Sequence, residues 1–401
     1  MTTDIDVPEN VRKRIAELPS SGVPAFIYDL EGLRDHVAEI RSAFAGTTAG
    51  PQLFYAAKAN PDRPILKALA PFIDGVEVSS IGELTHVREA LPDVPLAFGG
   101  PGKTPAHLAT AVDAGARIHV ESPTELARLI AFGKEAEVLV RANPPFEVEG
   151  AALAMGGGAT PFGMDEEGLA ACDRLLEDAP SVRVRGVHTH LASGLDAPRM
   201  VKLAAQILGW ARPWCAERGM TEPEFNLGGG MAVDYSAPRE RFDWAGYAAG
   251  LAELLQPGER LRIEPGRVVT AYCGWYVTSV VDIKRSHGEW FAVLLGGTHH
   301  LRTPVAKGHD QPFAILPGDG PRGPNGVEGE AVTLVGQLCT PKDVFARRVV
   351  VESLAVADTV AFGMAGAYGW NISHHDFLMH PKPSFHYLFA GARSARAVLG
   401  P

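Results

Sequence analysis

Lys58 closes a short apolar run, Leu53-Phe54-Tyr55-Ala56-Ala57-Lys58-Ala59-Asn60. A long, flexible amine presented where a buried strand gives way to a loop can condense with a carbonyl to form a Schiff base. A lysine at a strand end can equally snorkel, its stem on apolar surface and its ammonium in water, and this segment alone does not choose between the two. Three further phrases carry residues suited to chemistry: His188-Thr189-His190-Leu191-Ala192-Ser193-Gly194, Asn226-Leu227-Gly228-Gly229-Gly230 and Ile263-Glu264-Pro265-Gly266-Arg267. Three consecutive glycines let backbone N–H groups approach a phosphate, and the Ser193 hydroxyl can add a donor. Taken singly, a glycine triplet is more often a plain tight turn, and a lone histidine such as His190 is more often structural than catalytic.

These phrases sit at the ends of recurring elements. Short β-branched and apolar runs fall at Gln52 to Lys58, Gly75 to Ser80, Pro95 to Gly100, Arg117 to Ser122, Glu137 to Asn143, Val184 to Leu191, Glu224 to Gly230 and Arg260 to Arg267. The segments between them, such as Ile81 to Ala90 and Pro123 to Ile130, place apolar residues three and four apart, as helices do. Eight strand-then-helix units are the pattern of a (β/α)8 TIM barrel. A doubly wound sheet alternates in the same way, but no GxGxxG follows the first strand here. Polar and glycine-rich residues recur at almost every strand end, which a barrel requires, because its site is assembled from all its strands' C-terminal ends. The longest gap, Pro144 to Arg183, predicts an excursion over the barrel mouth.

After Arg267 the texture becomes that of a mainly antiparallel β domain, with strand-like runs at Tyr276 to Ile283, Trp290 to Leu295, Ala331 to Val335 and Val349 to Val351. Ala25-Phe26-Ile27-Tyr28 is a candidate strand of that domain. The expected division is a barrel over 29–270 and a β domain made of 1–28 and 271–401. At 401 residues the chain is long enough for two or three structural units.

With 46% hydrophobic and 21% charged residues the composition is that of an ordinary globular protein. A formal net charge of −10 disfavours nucleic acid and anionic membrane surfaces as partners. Cys172, Cys215, Cys273 and Cys339 have no CxxC spacing, so neither a disulfide framework nor a structural metal site is indicated. Met1 to Asn10 carries no charged-then-apolar leader, and no stretch is long enough to span a membrane. The expectation is a cytoplasmic chain.

In order along the chain, Tyr55-x-x-Lys58, the His190-to-Gly194 phrase, the glycine triplet, Glu264-Pro265-Gly266-Arg267, Cys339 and Gly366-Ala367-Tyr368 resemble the fold-type III pyridoxal 5'-phosphate enzymes. That group holds alanine racemase and the ornithine, diaminopimelate and related decarboxylases, and the resemblance runs from about Pro24 to Tyr368. It implies a barrel of the alanine racemase type with a C-terminal antiparallel β domain. It implies that Lys58 binds the cofactor covalently, that His190 stacks on the pyridine ring, and that Ser193, Gly228, Gly229, Gly230 and Tyr368 hold the phosphate, with Gly266 and Arg267 also at the cofactor. Glu264 would pair with the pyridine nitrogen and keep it protonated, so that the ring accepts the electrons released at Cα. Alanine racemases are expected to place an arginine there, so Glu264 favours decarboxylation.

Cys339 falls where the decarboxylase branch carries the cysteine that returns a proton to the substrate carbon, although a cysteine in a β domain is ordinarily a buried small hydrophobe. Glu77, Glu83 and Arg141 match charged positions near the cofactor. The resemblance also implies a homodimer with shared active sites, the Cys339 and Tyr368 regions reaching the barrel of a second subunit.

Ornithine and diaminopimelate enzymes usually follow that cysteine with an acidic residue that meets a distal ammonium; Thr340 stands here. Basic and polar groups in His299-His300-Leu301-Arg302-Thr303 and Asn371 to His375 could instead face an anionic tail, with His300, Arg302 and Asp343 as substrate-binding candidates. The phrases Met155 to Gly163, Gly296 to His300 and Ser373 to Phe377 are similar to those of siderophore-pathway decarboxylases acting on a citryl-diaminopropionate intermediate. The alternatives are a diaminopimelate- or ornithine-type decarboxylase, a racemase, or a non-catalytic decarboxylase-like regulatory protein.

Overall fold

In a computed structural model of the protein the described residues are 5–19, 22–46, 50–318, 326–389 and 395–396; the first four residues of the N-terminal segment read above fall outside them. The chain divides into two compact units, one of Met1–Asp35, Val233–Arg241 and Thr270–Pro401, the other of His36–Ala232 and Phe242–Val269.

The second unit contains a closed barrel of eight strands. In chain order these are Gln52–Ala56, Gly75–Val78, Leu96–Phe98, Arg117–Val120, Ala136–Arg141, Val182–His188, Glu224–Asn226 and Arg260–Ile263, every neighbouring pair parallel. Closure between the last strand and the first, with Arg262 opposite Gln52 and Ile263 opposite Leu53, excludes the doubly wound sheet. Parallel strands covered on both faces lose their alternation, and Gly75–Val78 is buried at all four positions. Serine and aspartate caps start the outer helices: Ser80, Ser122, Asp165 and Asp196 each accept an N–H from three residues further on.

The long excursion forms a two-residue strand, Leu153–Ala154, paired antiparallel with Ala192–Ser193. It is therefore fastened to the loop that carries Ser193.

The other unit is built on a nine-stranded sheet. Ala25–Asp29 lies inside it, antiparallel to Gly274–Ser286 and parallel to Ser384–Leu388. A second parallel pairing joins Glu289–Leu294 to Ala331–Val335; the sheet's other six pairings are antiparallel, as expected of a mainly antiparallel domain. Ala25–Asp29 is buried along its whole length, as a central strand must be. Among the described residues no helix is long and apolar enough to cross a membrane.

Candidate active site

The barrel's strand ends are stitched to one another by backbone hydrogen bonds. Thr189 N–H donates to Asn226 O (2.8 Å), Leu227 N–H to Arg262 O (3.0 Å), Glu264 N–H to Gly228 O (2.8 Å) and Ala56 N–H to Pro265 O (3.2 Å). The loops carrying Lys58, His190, the glycine triplet and Glu264 thus share one rim.

Lys58 lies in a single 3-10 turn, Ala57–Ala59, just beyond the first strand. Its Nζ is 3.0 Å from Glu77 Oε2, and Glu77, 3% exposed, also accepts from Ser79 Oγ at 2.8 Å. Glu83 accepts the Ser79 N–H at 2.7 Å, and burial raises its pKa. Both acids placed near the lysine by resemblance are therefore on its rim.

Glu264 is 8% exposed. Its Oε1 accepts from Asn226 Nδ2 at 2.6 Å, and His188 Nε2 stands 3.4 Å from its Oε2. His119 stacks on His188 with ring centroids 4.2 Å apart, its Nε2 3.8 Å from Glu264. Burial opposes ionisation of Glu264, but His188, His119 and the two side-chain hydrogen bonds outweigh it and hold the carboxyl well below its ordinary range. Burial, then the neighbouring His188, holds His119 neutral. His119, His188 and Glu264 bring three possible ligand atoms within 4.8 Å of one another.

Asn226 also accepts the Gly228 N–H at 2.9 Å, so one side chain ties Glu264 to the glycine triplet. Close approach dictates the triplet itself. A Cβ on Gly228 would lie 2.5 Å from His190 Nδ1, one on Gly229 2.3 Å from Glu264 O, and one on Gly230 2.2 Å from Ala192 O. Gly228 and Gly230 also have φ of 67° and 106°, which L side chains rarely adopt. Gly230 O receives the Gly194 N–H at 2.7 Å, which brings the Ser193 loop alongside. Gly266 packs on the first strand end, a Cβ there falling 3.1 Å from that of Ala59. Arg267 opens a four-residue helix, Arg267–Thr270.

His190 Nδ1 is buried without a hydrogen-bond partner. Burial, then the charges of Lys58 and Arg141, lowers its pKa to about 3, so the ring is neutral; it lies close against Gly228. Arg141 is clamped by Glu121 at 2.8 Å and faces the Phe162 ring at 4.9 Å.

Cys339, Tyr368, His300, Arg302 and Asp343 belong to the other unit. Cys339 is exposed while the other three cysteines are buried, so it is not the small buried hydrophobe that its β-domain setting suggests. Tyr368 has a φ of 51°, a conformation that a bulky residue holds only when its surroundings impose it. Asp343 has other employment than substrate: its carboxylate accepts the Thr298 N–H at 2.6 Å and the Leu338 N–H at 2.8 Å. His300 is likewise committed, Nδ1 to Tyr276 Oη at 3.0 Å and Nε2 to Pro381 O at 3.1 Å. Arg302 is exposed.

Asn226, His188 and His119 escaped the sequence reading. The first two lie inside quoted phrases, and His119 is a lone polar residue in the apolar run Ile118-His119-Val120; only barrel closure brings them to Glu264.

A parallel eight-stranded barrel with an amine, an imidazole, a glycine cradle and an ionised buried carboxylate on one rim, in a chain that also holds a separate β unit, is the arrangement of a fold-type III pyridoxal-phosphate enzyme. Residues 30–271 match the family described as pyridoxal-dependent decarboxylase, pyridoxal binding domain, and the chain belongs to that family. It is 39% identical to 2-[(L-alanin-3-ylcarbamoyl)methyl]-2-hydroxybutanedioate decarboxylase of Staphylococcus aureus, covering 94% of this chain and 98% of that one. It is 30% identical to L-glutamyl-[BtrI acyl-carrier protein] decarboxylase of Niallia circulans over 90% and 87% of the two chains. Among solved structures, diaminopimelate decarboxylase of Helicobacter pylori complexed with L-lysine superposes with a TM-score of 0.83 at 23% identity, covering 96% and 95%, a likeness of fold.

The rim fits the cofactor. The triplet, packed too closely for any Cβ, is a glycine turn of the kind that cradles a phosphate, His190 Nδ1 is buried without a hydrogen-bond partner, and Glu264 offers a charge that a protonated pyridine would neutralise.

Proposed function

We propose that the protein removes the α-carboxylate of an amino acid whose side chain carries further carboxylates, a citryl-diaminopropionate type of substrate. The observation that carries the reaction class is Glu264, a buried carboxylate held ionised by Asn226 and His188. Bound pyridoxal phosphate supplies an electron sink for the carbon that loses carbon dioxide, and a carboxylate at the pyridine nitrogen deepens that sink. Lys58 holds the cofactor covalently, with Glu77 beside it as the group that keeps its amine in place. His190 supports the ring; Ser193, Gly228, Gly229, Gly230 and Tyr368 bind the phosphate, with Gly266 and Arg267 at the edge of that cradle. Cys339 returns the proton to the substrate carbon.

Substrate class rests on three supports. Thr340 offers no carboxylate to a distal ammonium, Asp343 is engaged internally, and the Staphylococcus aureus relative is named for a substrate in which a hydroxylated polycarboxylate is amide-linked to an amino acid.

The active form is a homodimer with shared sites. In support, Ile372, Phe377, Leu378 and Met379, immediately after Tyr368, are large apolar residues 43–92% exposed, and Leu378 and Met379 both hold positive φ. An apolar patch of that kind marks a covered surface. Cysteines without CxxC spacing, three of them buried, fit a reducing, cytoplasmic setting.

Carbon dioxide release from a panel of citryl-diaminopropionate, meso-diaminopimelate, ornithine and lysine tests the reading. Turnover of the citryl compound well above the others is expected; preference for a diamino acid overturns it.

A further inference from the structure

The barrel end opposite the cofactor rim, where the strands begin, holds a cavity of about 450 Å³. Leu96, Arg117 and Ala136, the first residues of the third, fourth and fifth barrel strands, border it. Phe54 of the first strand, Arg183 of the sixth and Arg262 of the eighth border it too. Pockets that hold small molecules have volumes of roughly 300–1,000 Å³, whereas packing voids seldom exceed a water molecule.

An ionic chain runs along this floor. Arg262 Nη2 lies 2.7 Å from Glu224 Oε1, Glu224 Oε2 pairs with Arg117 Nη1, Arg117 Nη2 lies 2.7 Å from Glu137 Oε2, and Arg185 Nε stands 3.8 Å from Glu137 Oε1. Three guanidiniums thus meet two carboxylates. Arg183 and Glu135, exposed at the cavity, add one charge of each sign, so one positive charge is left over.

Arg262 is the most deeply buried arginine of the chain, 4% exposed. Its Nη2 also reaches Gln52 Oε1 at 3.2 Å, and its guanidinium carbon lies 3.8 Å from the Phe54 ring centroid. Its Nε and Nη1 have no hydrogen-bond partner. Burial works against its charge, yet a guanidinium stays charged in a protein, and unused buried donors are costly unless water or a ligand supplies the acceptor. Beside these donors the cavity wall is apolar, with Phe54, Leu96, Val112, Ala116 and Pro180. Guanidinium forks match a carboxylate, and the apolar wall matches a hydrocarbon body behind it.

The floor is built on the same strands as the rim. Arg117, Glu224 and Arg262 each stand two residues before His119, Asn226 and Glu264, and residues two apart on a strand share a face. The ionic chain is therefore the layer next to the Glu264 cluster, on the side away from the cofactor rim.

We infer that this floor cavity is a second binding site, separate from the cofactor rim, that takes a small organic carboxylate with an apolar body on Arg183 and Arg262. The inference does not depend on which amino acid the enzyme decarboxylates.

Calorimetric titration of the holoenzyme with 3-phenylpropionate tests it, beside the neutral 3-phenyl-1-propanol and inorganic phosphate, and the titrations are repeated on Arg183→Ala and Arg262→Met variants. The acid should bind the parent saturably, with the alcohol and phosphate at least about tenfold weaker, and each variant should lose about 10- to 100-fold in affinity for it, as when a hydrogen bond to a charged group is removed. Arg183 is exposed and takes no part in the ionic chain, so its variant decides the matter even if Arg262→Met does not fold. No saturable binding, or unchanged affinity in Arg183→Ala, overturns the proposal. Alcohol bound as tightly as the acid shows an apolar void without anion recognition, and phosphate bound as tightly shows that no apolar body is read; either result also overturns it.

Discussion

Glu264 shows how one residue's chemistry depends on its immediate neighbours. A carboxylate 8% exposed would ordinarily prefer its neutral form. Asn226 at 2.6 Å and His188 at 3.4 Å reverse that preference. Glu264→Gln keeps the shape and a bond to Asn226 while deleting the charge. Turnover should then fall by about 10²-fold or more, as when a preorganised electrostatic partner is removed, whereas cofactor affinity, set mainly by Lys58 and the phosphate contacts, should change far less. Single-turnover rates and a cofactor titration separate the two effects; unchanged turnover at normal occupancy points to another electronic partner. At this scale the sequence was partly legible. Lys58, His190 and Glu264 are visible because each sits in a distinctive phrase at a strand end. His119 and Asn226 are not, because residues 119, 188, 226 and 264 come from four strands or their ends and meet only in the closed barrel. His300 and Asp343 misled for the converse reason: polar residues near a motif look available until the partners that occupy them are placed.

Among elements, the glycine triplet connects strand geometry to ligand geometry. Its backbone runs so close to Glu264 O and Ala192 O that side chains cannot be accommodated without movement of the rim. Gly229→Ala should therefore weaken pyridoxal phosphate binding by about tenfold or more, since overpacking against backbone costs roughly 1–3 kcal/mol. Gly209, within the helix Ala197–Glu217, has no atom within 4 Å of a built Cβ. Gly209→Ala should instead stabilise the fold by roughly 0.5–1 kcal/mol and leave cofactor affinity alone. Urea unfolding of the apoprotein and cofactor titration of both variants check the pair; equal cofactor affinity in the two would deny the triplet its role. All eight barrel strands were legible from β-branched runs, with ends displaced by a few residues because the runs continue into the functional loops. Lys58 illustrates the displacement, standing in a 3-10 turn beyond its strand. The parallel pairings in the other unit were not legible, since strand direction depends on connections that no local run records.

The whole molecule divides its candidate chemistry: Lys58 and Glu264 in the barrel unit, Cys339 and Tyr368 in the sheet unit. The proposed dimer gives that division a purpose, one chain's Cys339 serving its partner's Lys58. A Lys58→Ala chain mixed with a Cys339→Ala chain should then regain part of the formation of correctly protonated product that is lost or slowed in each alone, because one of the two composite sites in the heterodimer keeps both groups. Subunit exchange verified by mass spectrometry without any recovery would argue for sites contained in a single chain. Cys339→Ala by itself should still release carbon dioxide while returning the proton slowly or to the cofactor, which product chromatography detects.

The proposed chemistry turns on Lys58 as the residue that holds the cofactor, with nine other lysines that a labelling experiment could report. Borohydride reduction of the holoprotein followed by peptide mapping should place a single pyridoxyl group on Lys58, in the peptide containing Tyr55-Ala56-Ala57-Lys58. A pyridoxyl group on any other lysine, or none with the cofactor demonstrably bound, contradicts the account.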